Sequence, residues 1–289
     1  MIPVFGLDFT SSPSPRKPLI LARGELRGRT LELLDLQPMS GFEAFEAWLA
    51  SPGPWIAGVD LPLGLPRRFL EHLGWSRRWS DYVGRVARLS RVEFRALLDD
   101  YRRGRPPGDR EHRRRTDVRA GSLSPQKLYG TPVALMFFEG APRLLRAEVS
   151  VPPVRVRDDD RTVLEAYPAL AARWCVGRVR YKTDRPASDA ACHPVRRRIL
   201  RHLASPAFCA AYGIRMDLPA ALVRRMEADH TGDHLDALLC AAQAAWARTV
   251  RRPAYGIPPD ADPAEGWIVD PHTVGSVPAD RRHVPIWRS

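Results

Sequence analysis

The chain of 289 residues carries a formal net charge of +12, a sequence pI near 10.3 and an apolar fraction of 44%. That length and composition suffice for a packed core, exclude wholesale disorder and leave no run of the eighteen or so apolar residues that a membrane helix needs. Four scattered cysteines (Cys175, Cys192, Cys209, Cys240) exclude a disulfide framework and argue against zinc, and MIPVFGLDFT lacks a secretory pattern, so a soluble, cytoplasmic protein with no membrane partner is expected.

In chain order, residues 2–10 (IPVFGLDFT) read as a short buried strand ending in an acid. After the turn cluster SSPSPRKP, a second strand resumes at 19–23 and a third at 27–36, with Gly24 to Gly28 as the hairpin turn. The spacing of Phe42, Phe45, Trp48 and Leu49 predicts a helix over 40–50, capped by Ser40. WIAGVDL, at 55–61, is again a buried strand ending at an acid.

Residues 80–103 have helical periodicity, whereas GRPPGDREHRRR at 104–115 has none and reads as a mobile basic loop. VALMFF at 133–138 is a core-length apolar run, and strand signals return at 144–149 and 162–168. Pro168 opens a helix through Cys175, further helices follow at 194–203 and 218–228, and a strongly apolar one spans 233–250. The tail from Arg251 is proline-rich and irregular. No repeat or low-complexity linker divides the chain, so one domain over 1–289 is expected, with a basic, mainly helical insertion at about 67–160.

The charge is unevenly placed. Lysine supplies only three of the 45 basic residues (Lys17, Lys127, Lys182), a bias that arginine-rich coding alone produces. Residues 67–119, however, hold sixteen arginines against eight acids, which a uniform bias does not explain. A basic surface there suits a polyanionic partner; a solvated charged face is the plainer use. Within it, RRRTDVRAGSLSPQK offers Arg113, Arg114, Arg115 and Lys127 as phosphate contacts, since guanidinium forks match phosphate oxygens. Trp75, Trp79 and Tyr82 lie among the arginines, but their helical spacing favours core packing over base stacking.

The acids suggest chemistry. Asp8 and Asp60 end predicted buried strands, Glu165 sits inside a third, and Asp233 and Asp236 stand three apart at the start of the last helix. A carboxylate on a buried strand is costly unless a cation neutralises it, and several that converge repel one another unless a divalent metal joins them. Acids from separate strands plus one helix are what metal-assisted phosphodiester hydrolysis needs. Each also has a plainer use: Asp8 and Asp60 as turn residues, Glu165 paired to an arginine, Asp233 as an N-cap. Asp236 is the hardest to dismiss, flanked as it is by Leu235 and Ala237 one turn inside an apolar helix. His230 and His234 are four apart, but Thr231–Gly232 between them marks a helix start rather than a preformed zinc pair. No GxxxxGK loop and no GxSxG elbow is present, which counts against triphosphatase and serine-hydrolase readings.

Strand–strand–strand–helix–strand, with acids ending strands one and four and an acidic closing helix, resembles the RNase H-like fold, an α/β class with a mixed sheet. GDHLDALLCAAQAA looks like the closing helix of RuvC-type resolvases. VFGLDFTSSPSPRKP, WIAGVDLPLGLP, RRRTDVRAGSLSP, MFFEGAPRLL, LEAYPAL, GDHLDALLCAAQAAWA and AEGWI together resemble the domain-of-unknown-function family 429, predicted RNase H-fold nucleases. By that resemblance Asp8, Asp60 and Asp236 match the metal-binding acids, with Glu165 as a catalytic companion and Asp233 as a further metal ligand. The expectation is a nuclease that hydrolyses DNA or RNA with Mg²⁺ or Mn²⁺. The alternatives are a non-catalytic nucleic-acid-binding module and an enzyme acting on a small phosphorylated or nucleotide substrate.

Overall fold

The computed structural model describes residues 1–274. Among them, β1 (Ile2–Asp8), β2 (Leu19–Arg27) and β3 (Thr30–Met39) form an antiparallel meander. Beside it, β4 (Trp55–Val59) runs parallel to β1, β5 (Arg161–Glu165) parallel to β4, and β6 (Arg215–Asp217) parallel to β3. The result is a mixed α/β sheet in the order β5-β4-β1-β2-β3-β6.

Helices cover both faces. On one lie α1 (Phe42–Leu49), α2 (Arg67–His72), α3 (Trp79–Val86), α4 (Arg91–Arg102) and α6 (Val133–Ala147), whose Phe45, Phe69, Tyr82, Phe94 and Phe137 pack against Phe5, Leu7, Ala57, Val59 and Val163. The short α5 (Arg115–Ala120) lies between α4 and α6 in the chain. On the other face, α7 (Pro168–Val176), α8 (His193–Leu203), α9 (Pro206–Tyr212), α10 (Ala220–Ala228) and α11 (Asp233–Thr249) cover Val4, Ile20, Ala22, Ile56 and Leu164. Strands covered on both faces read as continuous apolar runs, which is why β1 and β4 show no alternation. Every residue of α11 from Leu235 to Ala247 is buried, the expected fate of a helix that is apolar all round. Among the described residues no helix is long and apolar enough to cross a membrane.

Two glycines set how closely α11 sits. Gly6 of β1 is the register partner of Gly58 of β4. A Cβ on Gly6 would stand 2.0 Å from the Ala237 carbonyl oxygen, and one on Gly58 would stand 2.4 Å from that of Cys240. Backbone therefore lies on backbone here, and only glycine permits it.

Several elements differ from expectation. The hairpin turns at Gly28, where φ is +59°, and β2 continues through Gly24 across a bulge between Arg23 and Gly24. Gly41 rather than Ser40 is the N-cap of α1, and no side chain bonds there. The expected helix over 80–103 breaks because Ser90 and Glu93 form a reciprocal capping box that starts α4 afresh. The strand expected at 144–149 lies largely within α6, which continues through Gly140 and Pro142 and buries both. The loop at 104–115 is tied down by an Arg105–Asp109 ion pair at 2.7 Å and a Tyr101–His112 hydrogen bond at 2.5 Å.

Candidate active site

Strand parity decides which acids meet. On β1, Val4 faces the α11 side while Phe5 and Leu7 face the other, so Asp8 shares the face of Val4 and Gly6. The same alternation puts Asp60, just past β4, on the side of Ile56 and Gly58. Its backbone N–H donates to the Leu7 carbonyl at 2.9 Å, which holds the two strand ends together. Because α11 rests on Gly6 and Gly58, Asp236, one residue before Ala237, arrives beside them.

Asp8 and Asp60 are half-buried at the floor of a cavity of about 830 Å³ that Asp233 also lines. A second lobe, sharing Asp60, Thr131, Met136 and Lys182, reaches Asp236 and Glu165. Burial, followed by repulsion from Asp233 and Asp236, pushes the Asp8 carboxyl well above the usual carboxylate range. Burial and then Asp236 push Asp60 up to about 7. Burial, with Asp229 and Asp236 nearby, raises Asp233 as well.

Asp236 is fully buried and its two oxygens are already engaged: Tyr181 Oη donates to Oδ1 at 2.6 Å, and Lys182 Nζ bonds Oδ2. Asp236 beside it holds the Lys182 ammonium well above the usual lysine range. By contrast, no donor among the described residues bonds the carboxylate of Asp8 or Asp60. Nor, among the described residues, are three or more His, Cys, Asp or Glu side chains gathered as they stand into a group able to hold a metal ion.

Glu165 follows a different geometry. It is the register partner of Val59, so it points to the opposite face from Asp60. There Arg114 grips it bidentately, Nη2 to Oε1 at 2.5 Å and Nη1 to Oε2 at 2.8 Å, and the Leu63 N–H adds a third bond at 2.9 Å. Of the remaining Arg114 donors, Nη2 and Nε reach Asp117 at 2.7 and 2.9 Å and Nη1 reaches the Glu265 carbonyl at 2.9 Å. Arg114 is therefore a buried hub whose donors are taken by protein partners, and both it and Glu165 line the wall of the second lobe.

Among the other phosphate-contact candidates, Arg113 is exposed, Arg115 pairs with Asp260 at 2.5 Å, and the Lys127 ammonium lies over the Tyr129 ring. None of them lines the carboxylate cavity. The basic groups that do are Lys17, Arg91, Arg180 and Lys182, joined by the hydroxyls of Ser11, Ser12 and Thr131, with Arg114 at the wall of the second lobe. Of these only Arg114 was singled out by residue as a phosphate contact from the sequence, although Arg91 lies within the basic stretch 67–119. Arg91 bridges two walls, donating to the Ser11 carbonyl at 2.9 Å and to Glu139 at 3.2 Å. Trp79 and Tyr82 are core residues, bonded to the carbonyls of Leu63 and Ala264. His230 and His234 do not converge as a ligand pair: His230 Nδ1 meets the Thr183 carbonyl and His234 Nδ1 meets Asp229.

Residues 16–262 match the family model described as Protein of unknown function (DUF429). No curated protein and no solved structure matches the chain.

Proposed function

The chain belongs to the DUF429 family, and from that premise we propose that it is a metal-dependent phosphodiesterase of RNase H-like architecture, acting on DNA or RNA. One observation carries the reading. Asp8 and Asp60, on neighbouring parallel strands, lie within electrostatic reach of Asp236, and Asp8 also of Asp233, on the helix packed across both, under repulsion that a cation would relieve. The antiparallel meander of β1–β3, with β4 and β5 added in parallel beside β1, supports it.

The donor set suits a hard, oxygen-seeking ion. It is all carboxylate, Asp8 and Asp60 have no donor among the described residues, and a lysine ammonium already stands in as the cation at Asp236. Asp8, Asp60 and Asp236 would hold Mg²⁺ or Mn²⁺, with Asp233 at the cavity edge. Such an ion supplies Lewis acidity toward a phosphoryl oxygen and a more acidic water. The protein contributes the surroundings. Lys17, Arg91 and Arg180 line the same cavity and orient a phosphate over the acids. Glu165, Arg114 and Asp117 form a buried ionic frame that fixes the end of β5 against the inserted helices rather than joining the reaction.

A cavity of about 830 Å³ is also the size of a small-ligand site, which keeps a small phosphorylated or nucleotide substrate as the second reading. The test is Mn²⁺-dependent turnover of a panel of structured DNA, RNA and mononucleotides by wild type and Asp236→Asn. Polynucleotide cleavage lost in the variant supports the nuclease. Turnover of mononucleotides alone favours the second reading, and salt-sensitive binding without turnover leaves a non-catalytic module.

A further inference from the structure

Lys182 is placed by construction. Its segment, residues 177–185 between α7 and a 3-10 helix at Pro186–Ala191, has no regular structure, yet it is tied on both sides. The Thr183 N–H donates to the His230 carbonyl at 2.9 Å, and the Tyr181 carbonyl accepts from Arg196 Nη1 at 3.0 Å. Gly232, at a φ of +76° just before α11, leaves room for the lysine stem, since a Cβ there would stand 2.8 Å from that of Lys182. The ammonium therefore reaches Asp236 Oδ2 while Tyr181 takes Oδ1. The two partners differ in freedom: the Lys182 side chain is 45% exposed, whereas that of Asp236 is 0% exposed. The lysine can swing into solvent, and the aspartate cannot leave.

We propose that Lys182 is the resident counter-cation of the acid cluster and that a divalent ion must displace it: the ammonium and the metal occupy Asp236 in mutually exclusive fashion, so Lys182 sets the metal affinity. The proposal rests on the metal-dependent reading above. Attraction between opposite charges at hydrogen-bond distance is strong when one partner is buried, so the displacement lowers metal affinity measurably.

Two measurements test it. Calorimetric titration with Mn²⁺ should give at least about tenfold tighter binding for Lys182→Met than for wild type, with Lys182→Arg close to wild type. Circular dichroism confirms that each variant is folded. The second uses the wild type alone. With only three lysines in the chain, acetylation at Lys182 is read separately from Lys17 and Lys127 by mass spectrometry. Saturating Mn²⁺ should raise the acetylation rate of Lys182 severalfold and leave that of Lys127 unchanged. Equal or weaker Mn²⁺ affinity in a folded Lys182→Met, or unchanged Lys182 reactivity under saturating Mn²⁺, overturns the displacement while leaving the metal reading standing. Failure of both wild type and Lys182→Met to bind Mn²⁺ overturns both.

Discussion

Replacing Gly6 with alanine tests whether α11 positions the acids. The added Cβ would lie 2.0 Å from the Ala237 carbonyl oxygen, 2.2 Å from the Ala241 nitrogen and 2.9 Å from its Cα. All three are backbone atoms, so no side chain can rotate away. Opening 2.0 Å to a tolerable contact of roughly 3.0 Å moves the helix or the strand by about 1 Å in a close-packed interior. Overpacking of this kind costs about 1–3 kcal/mol, and a backbone clash belongs at the upper end. For a domain of this size that corresponds to a fall in Tm of about 5 °C. Gly84, inside α3 with nothing within 4 Å of its would-be Cβ, is the control. Gly84→Ala should be neutral or stabilise by up to ~1 kcal/mol. Thermal unfolding followed by circular dichroism reads both. A Gly6→Ala protein as stable as Gly84→Ala would refute the close seating of α11 on β1, and with it the reason given for Asp236 meeting Asp8.

Arg114→Met leaves Glu165 and Asp117 buried without their cation and should cost about 3–5 kcal/mol in urea unfolding; a loss below 1 kcal/mol would contradict the ionic frame. Arg114→Lys should not rescue it, because an ammonium cannot grip both carboxylates bidentately. Asp60 is raised to about 7 in the fold, so its contribution is complete below its unfolded value near 3.8 and is lost as pH rises toward 7. In chelator, wild-type stability should therefore fall between pH 4 and 7 more steeply than that of Asp60→Asn, by at most about 1.4 kcal/mol per pH unit. Parallel curves would reject the shift. Lys17→Ala should weaken nucleic-acid binding in a non-hydrolysing metal such as Ca²⁺ and reduce the salt slope by about 1, whereas Arg115→Ala, already paired with Asp260, should leave the slope unchanged.

Asp8 and Asp60 were legible because an apolar run that stops at an acid has few uses, and Asp236 because it interrupts an otherwise apolar helix. The orientation of Glu165 was hidden for a physical reason. Both faces of β5 are covered, so TVLE carries no alternation to show which way the acid points. The RRR run at 113–115 looks solvated throughout; the buried middle residue is specified by Glu165, 51 positions away, and only Asp117 among its partners is local. Lys182 gave no signal, since its YKTD surroundings have no period and its role depends on a helix that begins fifty residues later. The break between α3 and α4 was available in the Ser90–Glu93 spacing, whereas the length of α6 was hidden by Pro142, which packing overrides.

Asp8, Asp60 and Asp236 are proposed to form one cation site. Calorimetric titration of Mn²⁺ into wild type and Asp8→Asn, with cleavage of the nucleic-acid panel followed in the same buffers, tests it most directly. Wild type should bind Mn²⁺ saturably and cleave only with metal, and both should be lost in an Asp8→Asn protein that keeps its fold. Mn²⁺ binding and cleavage undiminished in Asp8→Asn, or no Mn²⁺ uptake by the wild type, would contradict it.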